Sequence, residues 1–354
     1  MRIGLGAAGE HGVVEDLPDH AIPINAWTRV QNARMHEGTV EKCQGWIDAY
    51  SSDPTVAPYM LLPYKGSASV FWIYAGLAKI HAADGITHHD LTNSGGDYTG
   101  TATNRWNGGN LGSVAILNNG VEVPQFWGGG TGTPFADLTN WNAAHTCQVI
   151  RSFKNFLIAG NITKSGITHP YMVKWGHPAE DGTVPASWDE TDTTYLAGEQ
   201  NLRGKGGTIV DFYPLNDSNM VYKQGSIVAM RYIGGNFVFS FETVSTQLGV
   251  FAQNVVKNFT GKDNRIRSLV FGTDDVVVHD GRNLQSVIDD RRRRSLYSLI
   301  DSTNLENCFV AADEGRKELW ICFPEQNETF CTRAFVWNWM TGAWGEQEIP
   351  AISD

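Results

Sequence analysis

Short aromatic strands separated by polar turns recur along this chain, and that recurrence limits what it can fold into. The clearest run, Leu319 to Trp344, reads LWICFPEQNETFCTRAFVWNWMTGAW. Phe335, Trp337 and Trp339 alternate with Ala334, Val336 and Asn338, the period-two pattern of a strand with two distinct faces. Leu319, Ile321 and Phe323 alternate in the same way until Pro324 ends the run, and Met340-Thr341-Gly342-Ala343 turns the chain back to Trp344. Cys322 and Cys331 would face each other if Gln326-Asn327 were the turn, with two buried thiols favoured over a disulfide.

Similar runs occur at Phe71–Ala75, Val114–Leu117, Phe156–Gly160, Ile227–Met230, Phe237–Phe241 and Leu269–Phe271. Val276-Val277-Val278 is expected to pair back across Asp274-Asp275, and Asn118-Asn119-Gly120 is a hairpin turn signal. The meander centres, near residues 72, 115, 157, 228, 271 and 320, are about 40 to 50 residues apart with one longer gap. That period predicts an all-β, β-propeller-like fold of five to seven blades, with a jelly roll or paired sandwiches as alternatives. The longer gap, around 174–220, predicts a loop-rich insertion whose tip, Leu202 to Gly207, carries Arg203 and Lys205 as contact candidates.

Leu17-Pro18 and Ile22-Pro23 hold the chain extended, because the residue before proline is kept from the helical region. Residues 1–24 therefore read as an extended arm and 25–354 as the propeller body, with a hairpin over Val30, Met35 and Val40 turning at Glu37-Gly38. Arg34 to Trp46 is the candidate to complete the last blade. One short helix is expected near residues 287–304, capped by Ser286, with Asp289 and Asp290 at its positive end. Arg291, Arg292, Arg293 and Arg294 lie within it, either as a solvated face paired with local acids or as an assembly interface for an acidic partner.

The formal net charge of −11 argues against binding nucleic acid by phosphate neutralisation, though not against a wall along which DNA passes without sticking. No leader segment is expected from the N-terminal residues, and no run approaches the roughly 18 apolar residues of a membrane helix. Five unclustered cysteines fit reduced thiols.

Signals for chemistry are weak. Gly4-Leu5-Gly6-Ala7-Ala8-Gly9 matches a dinucleotide fingerprint but lacks the strand and helix that the mechanism needs. His88-His89-Asp90 is not expected to hold a metal, since strand neighbours point to opposite faces. Asp84-Gly85-Ile86-Thr87 reads as an ordinary turn, and Glu180-Asp181 with Asp189-Glu190 as acidic loops rather than a catalytic pair. No catalytic, cofactor-binding or metal residue is predicted.

Three stretches together resemble a known group. They are Leu17-Pro18 through Asn32-Ala33-Arg34 and Gly38–Lys42 to Gly45-Trp46; Trp72–Gly76 through Asn104-Arg105-Trp106 to Pro124–Trp127; and Asp290-Arg291-Arg292 through Glu318-Leu319-Trp320 to Trp337-Asn338-Trp339 and Trp344. In order and spacing they look like the β-propeller tail nozzle (tail tubular, packaged-DNA-stabilisation) proteins of short-tailed bacteriophages. The resemblance implies a non-enzymatic structural virion protein, made in the host cytoplasm and located in the virion tail. It implies six copies in a ring below the portal and its adaptor protein, extending the channel for double-stranded DNA and mounting fibres or spikes, with no membrane insertion. A host-glycan-binding or fibre-anchoring propeller, with tryptophans as stacking platforms, and a glycan-degrading propeller enzyme stay open as alternatives.

Overall fold

The structure, a computed structural model, describes residues 7–14, 17–36, 38–43, 45–48, 50, 52–66, 70–204 and 206–352. A two-stranded hairpin, Ala33–His36 (β1) and Thr39–Lys42 (β2), precedes six four-stranded antiparallel sheets. The first sheet comprises Met60–Lys65 (β3), Val70–Ala75 (β4), Ile80–Ala83 (β5) and His88–Asp90 (β6); the second, Asn107–Leu111 (β7), Val114–Asn118 (β8), Gln125–Trp127 (β9) and Ala136–Asp137 (β10). The third holds His145–Phe153 (β11), Phe156–Lys164 (β12), Ile167–Trp175 (β13) and Gly198–Asn201 (β14). The fourth holds Ile209–Leu215 (β15), Ser218–Lys223 (β16), Ile227–Tyr232 (β17) and Phe239–Ser245 (β18). Val256–Thr260 (β19), Ile266–Phe271 (β20), Val276–His279 (β21) and Leu284–Ser286 (β22) form the fifth. Phe309–Asp313 (β23), Glu318–Phe323 (β24), Cys331–Asn338 (β25) and Trp344–Ile352 (β26) form the sixth.

Each sheet is a meander in chain order, which is the blade of a β-propeller, and there are six. By packing, the chain divides into a unit of residues 48–249, holding blades one to four, and a unit of residues 1–47 with 250–354, holding the hairpin and blades five and six.

Central strands are covered on both faces: β8 and β16 are buried at every residue, including Asn118, Ser218, Asn219 and Lys223. Turns carry the residues that tolerate a left-handed backbone. Asn216 (φ 53) turns β15 into β16, and Ser165-Gly166 (φ 48 and 82) turns β12 into β13. The predicted pairing across Asp274-Asp275 is present, with Phe271 opposite Val276. The reversal at Asn118-Asn119-Gly120 is wider than a tight hairpin, because Leu117 pairs with Gln125. Asn119 Oδ1 instead accepts the amides of Val121 and Glu122 and holds the loop.

Within the four-blade unit, polar side chains join one blade to the next. Buried Asn107 donates to Gln148 O (2.9 Å) and accepts from Ile150 N (2.9 Å), and Asn118 donates to Cys147 O (2.9 Å). These bonds satisfy backbone groups of β11 that face away from its own sheet. Arg151 of β11 donates to Gly108 O of blade two at 2.8 Å and grips Asp211 of blade four in two bonds of 2.9 and 3.1 Å. Gly108 sits at φ +151, and a Cβ there would meet Ile116 O at 2.0 Å.

In the other unit, Trp337 of β25 and Trp339 just beyond it face blade five. Phe259 packs on Trp337 and Trp339 at ring separations of 5.6 and 5.4 Å. The even face of blade six carries Cys322, Ala334, Val336 and Ile349. Cys322 pairs in register with Ala334 and Cys331 with Ile352, so the two sulfurs are not cross-strand partners; both are buried thiols, and Cys331 Sγ donates to Asn307 O at 3.1 Å. The expectation that Arg34 to Trp46 completes the last blade fails. Blade six takes all four strands from its own stretch, and β1–β2 is a separate sheet joined to β26 at a single parallel bridge, Gln31 with Glu346. Asn32, at φ 57, seals that junction: its amide nitrogen bonds Glu346 O, and its side chain exchanges bonds with Glu348.

Candidate functional site

The predicted helix is present over Asp290–Leu299 (α1), shorter than expected. Its cap is Asp289, whose carboxylate accepts Arg292 N at 2.8 Å, and not Ser286, which lies in β22 and donates to Asp275 at 2.9 Å. Asp289 sits in extended backbone directly before the first helical turn, which is where a cap must be. Leu296 is fully buried on the inner face. Tyr297 OH donates to Gly272 O (2.6 Å) and fastens the helix to blade five.

The four arginines are not equivalent. Arg292 is 3% exposed; it pairs with Asp289 at 2.9 Å, donates to Val13 O and lies over the Trp344 ring at 5.5 Å. It therefore clamps the N-terminal segment against the last blade. Arg293 pairs with Asp290 (2.6 Å) and more distantly with Asp275 (3.6 Å). Arg291 and Arg294 are exposed, with Arg294 Nε bonded to Asp290 O at 3.2 Å. Arg291, Arg293 and Arg294 line a cleft of about 810 Å³ with Leu17, Pro18 and Asp290. Its opposite wall is the proline-bearing arm, part of which is sewn down: Val14 N bonds Trp27 O, and Trp27 Nε1 bonds Ala8 O. The cleft presents cations beside the N-terminal end of α1, together with Ser286, Asp289 and Asp290.

Arg203 lies exposed between β14 and β15, beside a small cavity of about 270 Å³ that Leu202 and Lys223 also line. Lys205 falls outside the described residues. Within the 174–220 stretch, the long loop itself runs from 176 to 197, followed by β14 and the whole of β15. Glu190 of that loop is bonded to Lys174 and Lys164, and Asp181 accepts Ser113 N at 2.8 Å. The acidic residues thus serve different anchors and do not converge.

The histidines of β6 also separate. His89 meets Asp84 at 3.2 Å, while His88 lies 3.1 Å from Ser52 Oγ and 2.9 Å from Tyr74 OH. The bonds continue from Tyr74 to Thr55 (3.2 Å) and from Thr55 to His81 (3.1 Å). A serine beside an imidazole has the outline of a nucleophile and base. Here the third group is a phenol, and the string of bonds fastens residues 52–55 onto blade one. Among the described residues no His, Cys, Asp and Glu cluster could hold a metal. Asp84 accepts the amides of Ile86 and Thr87, an ordinary Asx turn, and this holds its carboxyl down at about 2. Of the glycine fingerprint, Ala7 to Gly9 are described: they form a turn with no helix following, and a Cβ on Gly9 would collide with Thr39 O at 2.2 Å.

Sequence reasoning missed Asp289 as the cap and Arg292 as an inward clamp. The position of Asp289 immediately before the arginine run was the available signal for the first. Nothing local marks the second, since its partners Val13 and Trp344 lie near opposite ends of the chain.

No protein-family profile matches the chain, and no curated protein matches it. Among solved structures it is similar to BBS1N in complex with ARL6DN, at 8% identity over 89% of this chain and 82% of that one, with a TM-score of 0.40. It is also similar to a Bacteroides fragilis protein assigned as a 6-phosphogluconolactonase, at 10% identity over 85% of each chain, with a TM-score of 0.46.

Proposed function

We propose that this chain is a structural subunit of the tail nozzle of a short-tailed bacteriophage. Six copies would form a ring below the portal and adaptor, lengthen the DNA channel and present mounting surfaces for fibres or spikes. Support comes from the three stretches that resemble such proteins and from the propeller fold. The observation that carries the reading is the split within the arginine run. Arg292 is locked inward, while Arg291 and Arg294 stay at the surface of an 810 Å³ cleft in a chain of net charge −11. Exposed cations in an otherwise acidic protein suit an acidic partner surface, where complementary charge sets encounter rate and orientation. The acidic remainder suits passage of DNA without adhesion. The role requires no catalysis.

The test is negative-stain imaging of the purified protein, alone and with the portal and adaptor of its source virus. Rings of about six copies on the adaptor are expected, and they should be lost in the Arg291→Glu/Arg294→Glu double variant while its circular dichroism is unchanged. Normal infectious particles from that variant, or no ring from the native protein, would overturn the proposal.

A further inference from the structure

Blade one carries two imidazoles and a phenol on one face. Tyr74 of β4 lies opposite His81 of β5, which lies opposite Asp90 of β6, two residues from His88. Residues 52–55, which lead into the blade, cross this face. His88 Nε2 meets Ser52 Oγ and O at 3.1 and 3.2 Å. Tyr74 OH meets Thr55 N and Oγ1 at 3.4 and 3.2 Å, and His88 Nδ1 at 2.9 Å. The row ends where Thr55 Oγ1 meets His81 Nδ1 at 3.1 Å. Ser52 Oγ also donates to Ile86 O at 3.3 Å. The segment is thus fastened mainly through groups whose bonds depend on where the imidazole protons sit.

His81 is 5% exposed, and its Nε2 is buried with no hydrogen-bond partner among the described residues. The neutral row is best satisfied with no proton at that atom. His81 Nδ1 then donates to Thr55, Thr55 to Tyr74, Tyr74 to His88 Nδ1, and His88 Nε2 to Ser52. A second proton on His88 enters at Nδ1 and reverses these bonds in turn, which moves the His81 proton to Nε2. A second proton on His81 goes to Nε2 directly. Either way a buried N–H arrives at the one atom that has no acceptor, which is costly. Burial pushes the His81 imidazole down; Asp90 pulls it up, while Lys79 and His88 push it down. Of the other charged or titratable groups, Lys79 holds Asp90 at 3.2 Å and Tyr50 packs edge-on against the His88 ring. Asp84 engages His89, and Asp53 is exposed.

We propose that residues 52–55 form an acid-released strap, docked on blade one while His81 and His88 are neutral and freed when the row takes up a proton. With the strap docked, His81 stays neutral below the ordinary imidazole value of about 6.5; with the strap lifted, water reaches the ring and it takes up a proton there. Docking is therefore complete above about pH 6.5 and weakens as pH falls through that value. The strap is small and carries few apolar anchors, Val56 against Gly76 being one, so a modest change in proton affinity is enough to shift it. The device lies within blade one and does not depend on the tail reading.

The experiment is hydrogen exchange of the full chain at pH 7.5 and 5.5, read by mass spectrometry on peptides covering residues 52–57 and corrected for the intrinsic pH dependence of amide exchange. One proton taken up only by the open form raises its population up to about tenfold over this interval. A five- to tenfold faster corrected exchange at pH 5.5 is expected for the strap, with the peptides of β8 and β12 unchanged. His81→Phe keeps a ring against Tyr74 but cannot charge, and it should remove the pH response. His81→Gln serves the same purpose if that variant fails to fold. His89→Gln, which alters the imidazole paired with Asp84, should keep the response. Equal strap exchange at the two pH values, a response that survives both His81 variants, or a response spread evenly over all blades would each overturn the proposal.

Discussion

Asn107 shows how a single side chain can join two blades. It offers a donor and an acceptor to the backbone of β11, at Gln148 O and Ile150 N, from a fully buried position. Replacing it by leucine keeps the volume but strands both backbone groups, each worth about 1–3 kcal/mol when left unsatisfied, so Asn107→Leu should cost roughly 2–6 kcal/mol. Urea unfolding checks this; a change below about 0.5 kcal/mol would mean that the amide is not what joins the blades. In the chain Asn107 looks like any polar residue after Trp106. Its role is invisible locally because the groups it satisfies lie about forty residues on.

At the scale of elements, the long loop of blade three is held by charge. Lys174 of β13 and Lys164 of β12 share Glu190 of the loop and Glu199 of β14, with Lys164 at 3.2 Å from Glu190 and 2.5 Å from Glu199. Burial would raise the Glu190 carboxyl, but the Lys174 hydrogen bond and the second lysine outweigh it and hold it at about 2, below its ordinary 4.5. A carboxyl depressed on folding adds stability above its unfolded value, and that stability is lost as pH falls through the folded one. The stability difference between native protein and Glu190→Gln should therefore be largest near neutrality and shrink between pH ~4.5 and ~2. Denaturant unfolding across that window checks it; a difference independent of pH would rule the clamp out. The sequence marked the loop by its length and its acids but not which acid is the anchor, since that depends on β12 and β13 meeting in register.

At the scale of the molecule, every blade is contiguous in sequence, whereas the described N-terminal residues are bonded to blade six and α1 within their own unit. Val13 bonds Trp344, Asn32 interlocks with Glu346 and Glu348, and Arg292 grips Val13 O. Because no blade borrows a strand from this segment, deleting residues 1–46 should leave the sheets of residues 48–249 protected and selectively lower amide protection in β25, β26 and α1. Hydrogen exchange read by mass spectrometry decides it, and uniform loss of protection across both units would contradict it.

What the sequence determined by itself is the repeated element. Alternating aromatic strands, turns at regular spacing and one proline-free, acid-started helix are local patterns, and local patterns encode local geometry. The tertiary structure alone decided which arginine turns inward, that the last blade closes on its own strands, and that Arg34, Trp46, Trp320 and Gln347 surround one cavity. Those outcomes depend on which surfaces meet after the chain has folded back from end to end, and a period of two residues within a strand carries no record of that meeting.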